Sequence, residues 1–394
     1  MTRKTIYISW VHLTDKISRD WYVDYLIAKG VKVEYWDAVA LVRGEYEEVG
    51  AKTTDYLHTF RTFGEVEDAL RLPENENANY VMLVSYQGAT VRLFRLLSKY
   101  NCRMLYFAWG VFPEREIQGR LGFVSRFSDP LRLLRRVYYK AKEITFKKLK
   151  LVKPFDIVFA AGQAVMGQDF FANRVVPINL FDYDHYNKIK TETGRIVVGR
   201  YAVFLDVYLP YHSDLEFAGG KAVNPNAYYA ALNRFFDLLE AKYQVKVVIA
   251  AHPKADYSDE PFKGREIYSL RTPELVKDAD FVIAHHSASI SYAVLNYKPI
   301  LFAYTNEMAA LCMETVVSYI NGFAKYLDAP VFNIDEIANN NELVIGEVNR
   351  VCYEQYKYDF LTTHESEHET TQEIFWRELN FDTGNGTAVK RVLI

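Results

Sequence analysis

The sequence predicts an α/β protein of two domains, each built on a parallel sheet, with a cleft between them. Three observations carry this reading. Short apolar runs recur along the chain, and each ends in small or polar residues before an amphipathic stretch begins. Strands alternating with helices in this way form a parallel sheet covered on both faces. The alternation is interrupted by the polar stretch at 187–195 and restarts at Ile196, and 394 residues have room for two or three domains.

The first domain spans 1–185. Ile6–Trp10 is its first strand, and the loop His12-Leu13-Thr14-Asp15 leads into an amphipathic helix over Ser18–Lys29. Gly30 closes that helix, since a left-handed residue suits the position after a helix end. Val31–Tyr35 is the second strand, and no G-x-G-x-x-G joins the two, so a dinucleotide fingerprint is missing. Tyr80–Ser85, Cys102–Ala108 and Phe155–Ala160 continue as strands, with a helix over Ala89–Lys99; Trp109-Gly110 follows the second of these strands. Ligands of open parallel sheets bind outside the carboxyl ends of the strands. His12 and Asp15 lie at such an end and are the candidates for a general base, although Asp15 is equally suited to the start of the next helix.

An insertion at 119–153 breaks the repeat. It holds eleven basic residues against two acids, Asp129 and Glu143, in a chain of net charge −3. Leucines, tyrosines and Phe146 are interleaved with these charges. The pattern fits either an anionic membrane surface or a solvated helix packed on the domain. No nucleic-acid recognition module surrounds it, so no nucleic-acid partner is expected.

Residues 177–186 read as the connection out of this domain, and 187–195 as linker. The second domain spans 196–360. Its first strand ends at Asp206, which is placed to line the cleft, and a helix over Asn226–Lys242 follows. Val247–Ala251 then runs into His252-Pro253-Lys254, and Phe281–Ala284 runs into His285-His286 and Ser287-Ala288-Ser289. Ser287 or Ser289 is expected to cap the helix Ser289–Asn296, where free N–H groups favour a phosphate. Thr272-Pro273 resembles a helix N-cap followed by proline at the first helical position. Of His285 and His286, which alternate along the strand end, one is expected to face a ligand and one to pack. Ile300–Tyr304 is the next strand, Met308–Asn321 and part of 334–358 are helical, and 361–394 is a tail with a last helix over Glu373–Asn380.

Together, the strand ending in His252-Pro253, the TPELV segment, the strand ending in Ser287-Ala288-Ser289 and the KPILF run resemble the C-terminal domain of GT-B glycosyltransferases. The groups most similar are bacterial polysialyltransferases, capsule Kdo transferases and CDP-glycerol glycerophosphotransferases, which share an HP motif and a Ser motif. The resemblance implies a GT-B fold of two Rossmann-like domains facing a central cleft, with the last helix crossing back to the first domain. It implies an inverting, metal-independent transferase of bacterial surface-polysaccharide synthesis that takes a nucleotide-activated sugar, of the CMP type, to a glycan or lipid-linked glycan acceptor. No cofactor is implied. The resemblance carries over His252-Pro253 and Ser287-Ala288-Ser289; with the strand-end residues read above, the expected donor-binding set is Asp206, His252, Pro253, Lys254, Thr272, His286, Ser287 and Ser289, and the expected catalytic set is His12, Asp15 and His252. The acidic D-D-G or E-D-G element of sialyltransferases has no counterpart here.

Other chemistries fit less well. The E-x7-E of retaining GT-B enzymes is missing from SASISYAVLNYK, and Asp182-Tyr183-Asp184 matches D-x-D only by letters, in the expected interdomain connection. His364 and His368 match H-E-x-x-H by letters without an evident third zinc ligand. A UDP-sugar 2-epimerase would use the same crevice without an acceptor, and a non-catalytic scaffold would keep only the fold. Cys102, Cys312 and Cys352 are far apart and odd in number, which points to a reducing compartment. With no signal-like or membrane-spanning apolar run, a cytoplasmic chain is expected, free or on the inner face of the membrane.

Overall fold

Each long apolar run of the sequence becomes a central strand of one of two parallel sheets. The computed structural model describes residues 3–42, 44, 50–114, 130–211 and 221–380. Among the described residues the first sheet has seven strands, in the order β3-β2-β1-β4-β5-β6-β7. They are β1 (Thr5–Ser9), β2 (Val33–Asp37), β3 (Leu57–Thr59), β4 (Asn79–Leu83), β5 (Arg103–Ala108), β6 (Ile157–Ala161) and β7 (Val175–Ile178). The second has six, in the order β10-β9-β8-β11-β12-β13. These are β8 (Tyr201–Leu205), β9 (Lys246–Ala251), β10 (Ile267–Ser269), β11 (Phe281–Ala284), β12 (Ile300–Tyr304) and β13 (Val331–Asn333). Every pairing is parallel. The central strands are buried on both faces, which is why they read as unbroken apolar runs rather than as alternation. Two Rossmann-like domains with a cleft between them make this a GT-B fold.

The helix expected over Ser18–Lys29 is two short ones, α1 (Asp15–Asp20) and α2 (Val23–Ala28). Tyr22 breaks it with φ at 62°. The break leaves the Trp21 carbonyl open to the Tyr7 hydroxyl, which donates to it at 2.8 Å. Gly30, with φ at 76°, ends α2 as expected. Then come α3 (Val91–Lys99) and α4 (Pro130–Lys148), the latter within the basic insertion; residues 119–129 of that insertion lie outside the described residues.

The connection at 177–195 is more ordered than the sequence suggests. Pro177 sits in β7, an edge strand, where the missing N–H leaves no gap in the ladder. Phe181–Ile189 is a helix, α5. The second domain adds α6 (Pro225–Tyr243), α7 (Thr272–Asp278) and α8 (Ile290–Leu295). The expected single helix over Met308–Asn321 is instead α9 (Asn306–Leu311) and α10 (Ser318–Leu327), separated by a π-helical turn over Met313–Val317. After α11 (Arg350–Tyr356), α12 (Thr371–Asn380) returns to the first domain. There Phe375 meets Phe107 edge-on at 5.1 Å and Phe159 at 5.5 Å. Arg103 donates to the Glu378 carbonyl at 2.9 Å. The remainder of the tail, 381–394, lies outside the described residues.

Candidate functional site

Register brings the site together. Leu205 is level with Ala250 on one side and Ala284 on the other, so β8, β9 and β11 end together. The residues that follow are Asp206, His252 and the His285–Ser289 segment. Strand order reverses at β8, the switch point where such sheets bind ligands. A cleft of about 970 Å³ opens there. Asp206, His252, Pro253, Thr272, Ser287 and Ser289 line one wall, while α1, α2, α5 and the start of α12 supply the other.

The His252-Pro253 turn is held from beneath. Tyr257 donates its hydroxyl hydrogen to Asp206 Oδ2 at 2.7 Å and accepts the His252 N–H at 3.2 Å. The Tyr208 N–H donates to the other Asp206 oxygen at 3.0 Å. Burial raises the Asp206 carboxyl to about 6 against the lowering effect of these hydrogen bonds. The Lys254 N–H donates to His252 Nδ1 at 3.3 Å, so a neutral His252 ring carries its proton on Nε2.

The serine segment departs from its expected role. Ser289 precedes α8 but makes no side-chain cap, and Ser287 Oγ accepts the Ser289 N–H at 3.2 Å. Neither side chain caps the helix, and a helix of six residues adds little dipole. What remains is a pair of small hydroxyl side chains on the cleft wall. The two histidines separate, but neither lines the cleft. His285 is fully buried, 2.9 Å from the Tyr228 hydroxyl and 2.6 Å from the Ala303 carbonyl, and burial pushes it down to about 4. His286, expected on the donor, stacks instead against Tyr319 at 6.3 Å. Lys254 is also outside the lining, because the turn directs it to solvent. Thr272 does line the cleft, but as the first residue of α7; Arg271 occupies the cap position.

The opposite wall holds residues that the sequence reading did not assign to the site. Lys16, Arg19 and Asp20 come from α1, and Asp182, Asp184, His185 and Lys188 from α5. Asp182 accepts the Ser291 hydroxyl, and burial raises its carboxyl above the usual range. Asp184 accepts from Asn179 Nδ2 and the Thr371 N–H, both at 2.8 Å, and burial raises it too. These two carboxylates tie α5 to α8 and α12, which is a structural use of the D-x-D letters. His185 faces the cleft, its Nδ1 3.3 Å from the Tyr292 hydroxyl.

Neither expected base lines the cleft. Asp15 is 87 % exposed and pairs with Lys52 at 2.5 Å, because it forms the first turn of a helix capped by Thr14. His12 stays at the carboxyl end of β1, its Nδ1 2.6 Å from Asp37 Oδ2. Asp37, at the end of β2, is buried and accepts the Val39 N–H at 2.9 Å through its other oxygen. This His–Asp pair depends on the parallel register of β1 and β2 and is invisible to local spacing. The H-E-S-E-H letters also separate from their motif: 364–368 is a turn in which both imidazoles approach Glu367.

No protein-family model and no curated protein matches the chain. Among solved structures it is similar to the glycosyltransferase SnogD from Streptomyces nogalater, at 9% identity and a TM-score of 0.45, covering 96% of this chain and 100% of that one. It is similar to the wall teichoic acid polymerase TagF (H548A variant), at 10% identity and a TM-score of 0.47, covering 96% and 89%. A Listeria monocytogenes chain described as a UDP-N-acetylglucosamine 2-epimerase aligns at 8% identity and a TM-score of 0.46, covering 95% of both. No helix among the described residues is long and apolar enough to cross a membrane.

Proposed function

We propose that this chain is a glycosyltransferase that takes a nucleotide-activated sugar and holds its phosphate between His252 and the Ser287–Ser289 segment. One observation carries the reading: these segments leave level strand ends on either side of β8 and face one cleft that the other domain closes. His252 and the two serine hydroxyls line the space a leaving phosphate would occupy and can donate to it, and Lys188 adds a cation there, whereas Lys16 and Arg19 are both paired with Asp20. The resemblance of the HP and Ser segments favours a CMP-type donor, an inverting course and a role in bacterial surface polysaccharide.

In an inverting transfer the acceptor hydroxyl oxygen attacks the anomeric carbon, and the bond from that carbon to the phosphate oxygen breaks. The phosphate leaves with the electron pair, stabilised by His252 and the serines, and the acceptor proton passes to a base. We assign the base to His12, which lies at the carboxyl end of β1 outside the cleft lining, so the assignment requires the acceptor site to extend past that lining to its imidazole. Asp37 fixes its orientation and stabilises the imidazolium that forms. His185 is the competing imidazole, being already in the cleft.

Incubation with CMP-, CDP- and UDP-activated sugars, with and without glycan acceptors, tests the reading. Acceptor-dependent release of nucleotide supports it. Conversion of a UDP-sugar without acceptor would replace it by epimerisation, and no turnover of any donor by folded protein would favour a scaffold.

A further inference from the structure

The outward face of α4 carries a second finding. Its inner face is fixed. The Tyr86 hydroxyl donates to the Glu143 carbonyl at 3.0 Å, and the Lys147 ammonium lies over Tyr86 at 4.9 Å and Phe171 at 4.8 Å. Gly88 allows the closest approach, since a Cβ there would come within 2.4 Å of the Tyr139 carbonyl oxygen. With Tyr139, Glu143, Phe146 and Lys147 turned inward, the outward positions follow from the helical period. They include Leu134, Val137, Tyr138 and Ile144, with Leu149 and Leu151 just beyond the helix, and these six are 39% to 66% exposed.

This apolar stripe is flanked by cations. Arg135 and Lys142 border it on one side and Lys140, paired with Glu143, on the other, while Lys148 falls within the stripe near the helix end, by the 100° step of the helix. Glu143 is the only acid between Asp129 and Asp156, and it is taken by Lys140 at 3.3 Å and Lys147 at 3.6 Å. An apolar centre with basic margins matches an anionic bilayer, where the apolar residues enter the acyl boundary and the cations meet headgroups. A second copy docking through the same face would bring basic margins against each other. Nucleic acid would meet apolar residues where its phosphates need charge.

We propose that α4 docks this protein on an anionic lipid surface. The helix is the crossover from β5 to β6 and runs back along the sheet, with Tyr139 beside Gly88 past the end of β4 and Lys153 bonded to Ser98 at the end of α3. Leu134, Val137 and Tyr138 therefore lie toward the carboxyl edge, the edge that carries the cleft. On the transferase reading, docking presents the cleft to an acceptor held in the membrane; the docking itself does not depend on that reading.

Co-sedimentation of the full chain with vesicles of phosphatidylglycerol and phosphatidylcholine, against phosphatidylcholine alone, tests the proposal. The parent is expected on the anionic vesicles at low salt and off them at high salt. Replacing the exposed residues in L134E/V137E, and separately R135E/K142E, should each reduce capture about tenfold or more. Melting temperatures and far-UV circular dichroism should match the parent, which shows both variants folded. Capture equal on neutral vesicles, capture unchanged in either variant, or no capture of the parent overturns the docking and leaves the transferase reading untouched. Loss of nucleotide response in the parent, with capture intact, overturns only the latter.

Discussion

The Tyr257 hydroxyl bridges Asp206 and the backbone of His252, donating to the first at 2.7 Å and accepting from the second at 3.2 Å. Tyr257→Phe removes both bonds without changing the ring. A hydrogen bond to a charged group contributes about 1.5–3 kcal/mol, so nucleotide affinity should fall roughly tenfold or more as the turn loosens. Calorimetric titration of parent and variant checks this, and equal affinities would remove Tyr257 from the site.

Asp206 gives a pH signature. Its carboxyl is raised to about 6 in the folded chain, against about 3.9 for an unfolded aspartate. The stability that goes with a raised carboxyl is fully present below the unfolded value and is lost as pH rises through about 6. Asp206→Asn keeps an acceptor for Tyr257 and lacks the titration. The variant should therefore gain on the parent between about pH 4 and 6.5, by about 3 kcal/mol at neutral pH. Urea denaturation across that range checks it; parallel curves would contradict it.

The end of the chain should matter for the first domain. Phe375 packs on Phe107 and Phe159, and its loss is expected to lower stability by about 3–5 kcal/mol. Gly162 has φ at 78°, and a Cβ there would meet the Asp359 carbonyl oxygen at 2.5 Å. Gly162→Ala should cost about 1–3 kcal/mol by overpacking this junction. Thermal denaturation of the two variants tests both.

The central strands were legible because a doubly buried strand is an apolar run, and their carboxyl ends led to His252, Asp206 and Ser287. The strands β3, β7, β10 and β13 were missed. They are three or four residues long and only partly buried, and β7 contains Pro177. Tyr257, Asp37 and His185 were missed for another reason. Each acts through a partner distant in sequence, Asp206, His12 and Tyr292 respectively. Asp182 and Asp184 were visible as letters, but the helix that carries them was read as a connection.

The choice of base is decided by rates. His12→Ala should lower acceptor-dependent turnover by about 10²-fold or more while leaving nucleotide affinity unchanged. Asp37→Asn should lower it in the same direction and by less. If His185→Ala alone abolishes turnover, the proton passes to α5 instead.

The most direct measurement is nucleotide binding by thermal shift, using CMP, CDP, UMP, UDP and GDP, on the parent and on His252→Ala. A ligand that binds the folded state raises the melting temperature by mass action. A shift with CMP or CDP is expected in the parent and a much smaller one in His252→Ala. A shift with no nucleotide, or one equal in the variant, would contradict it.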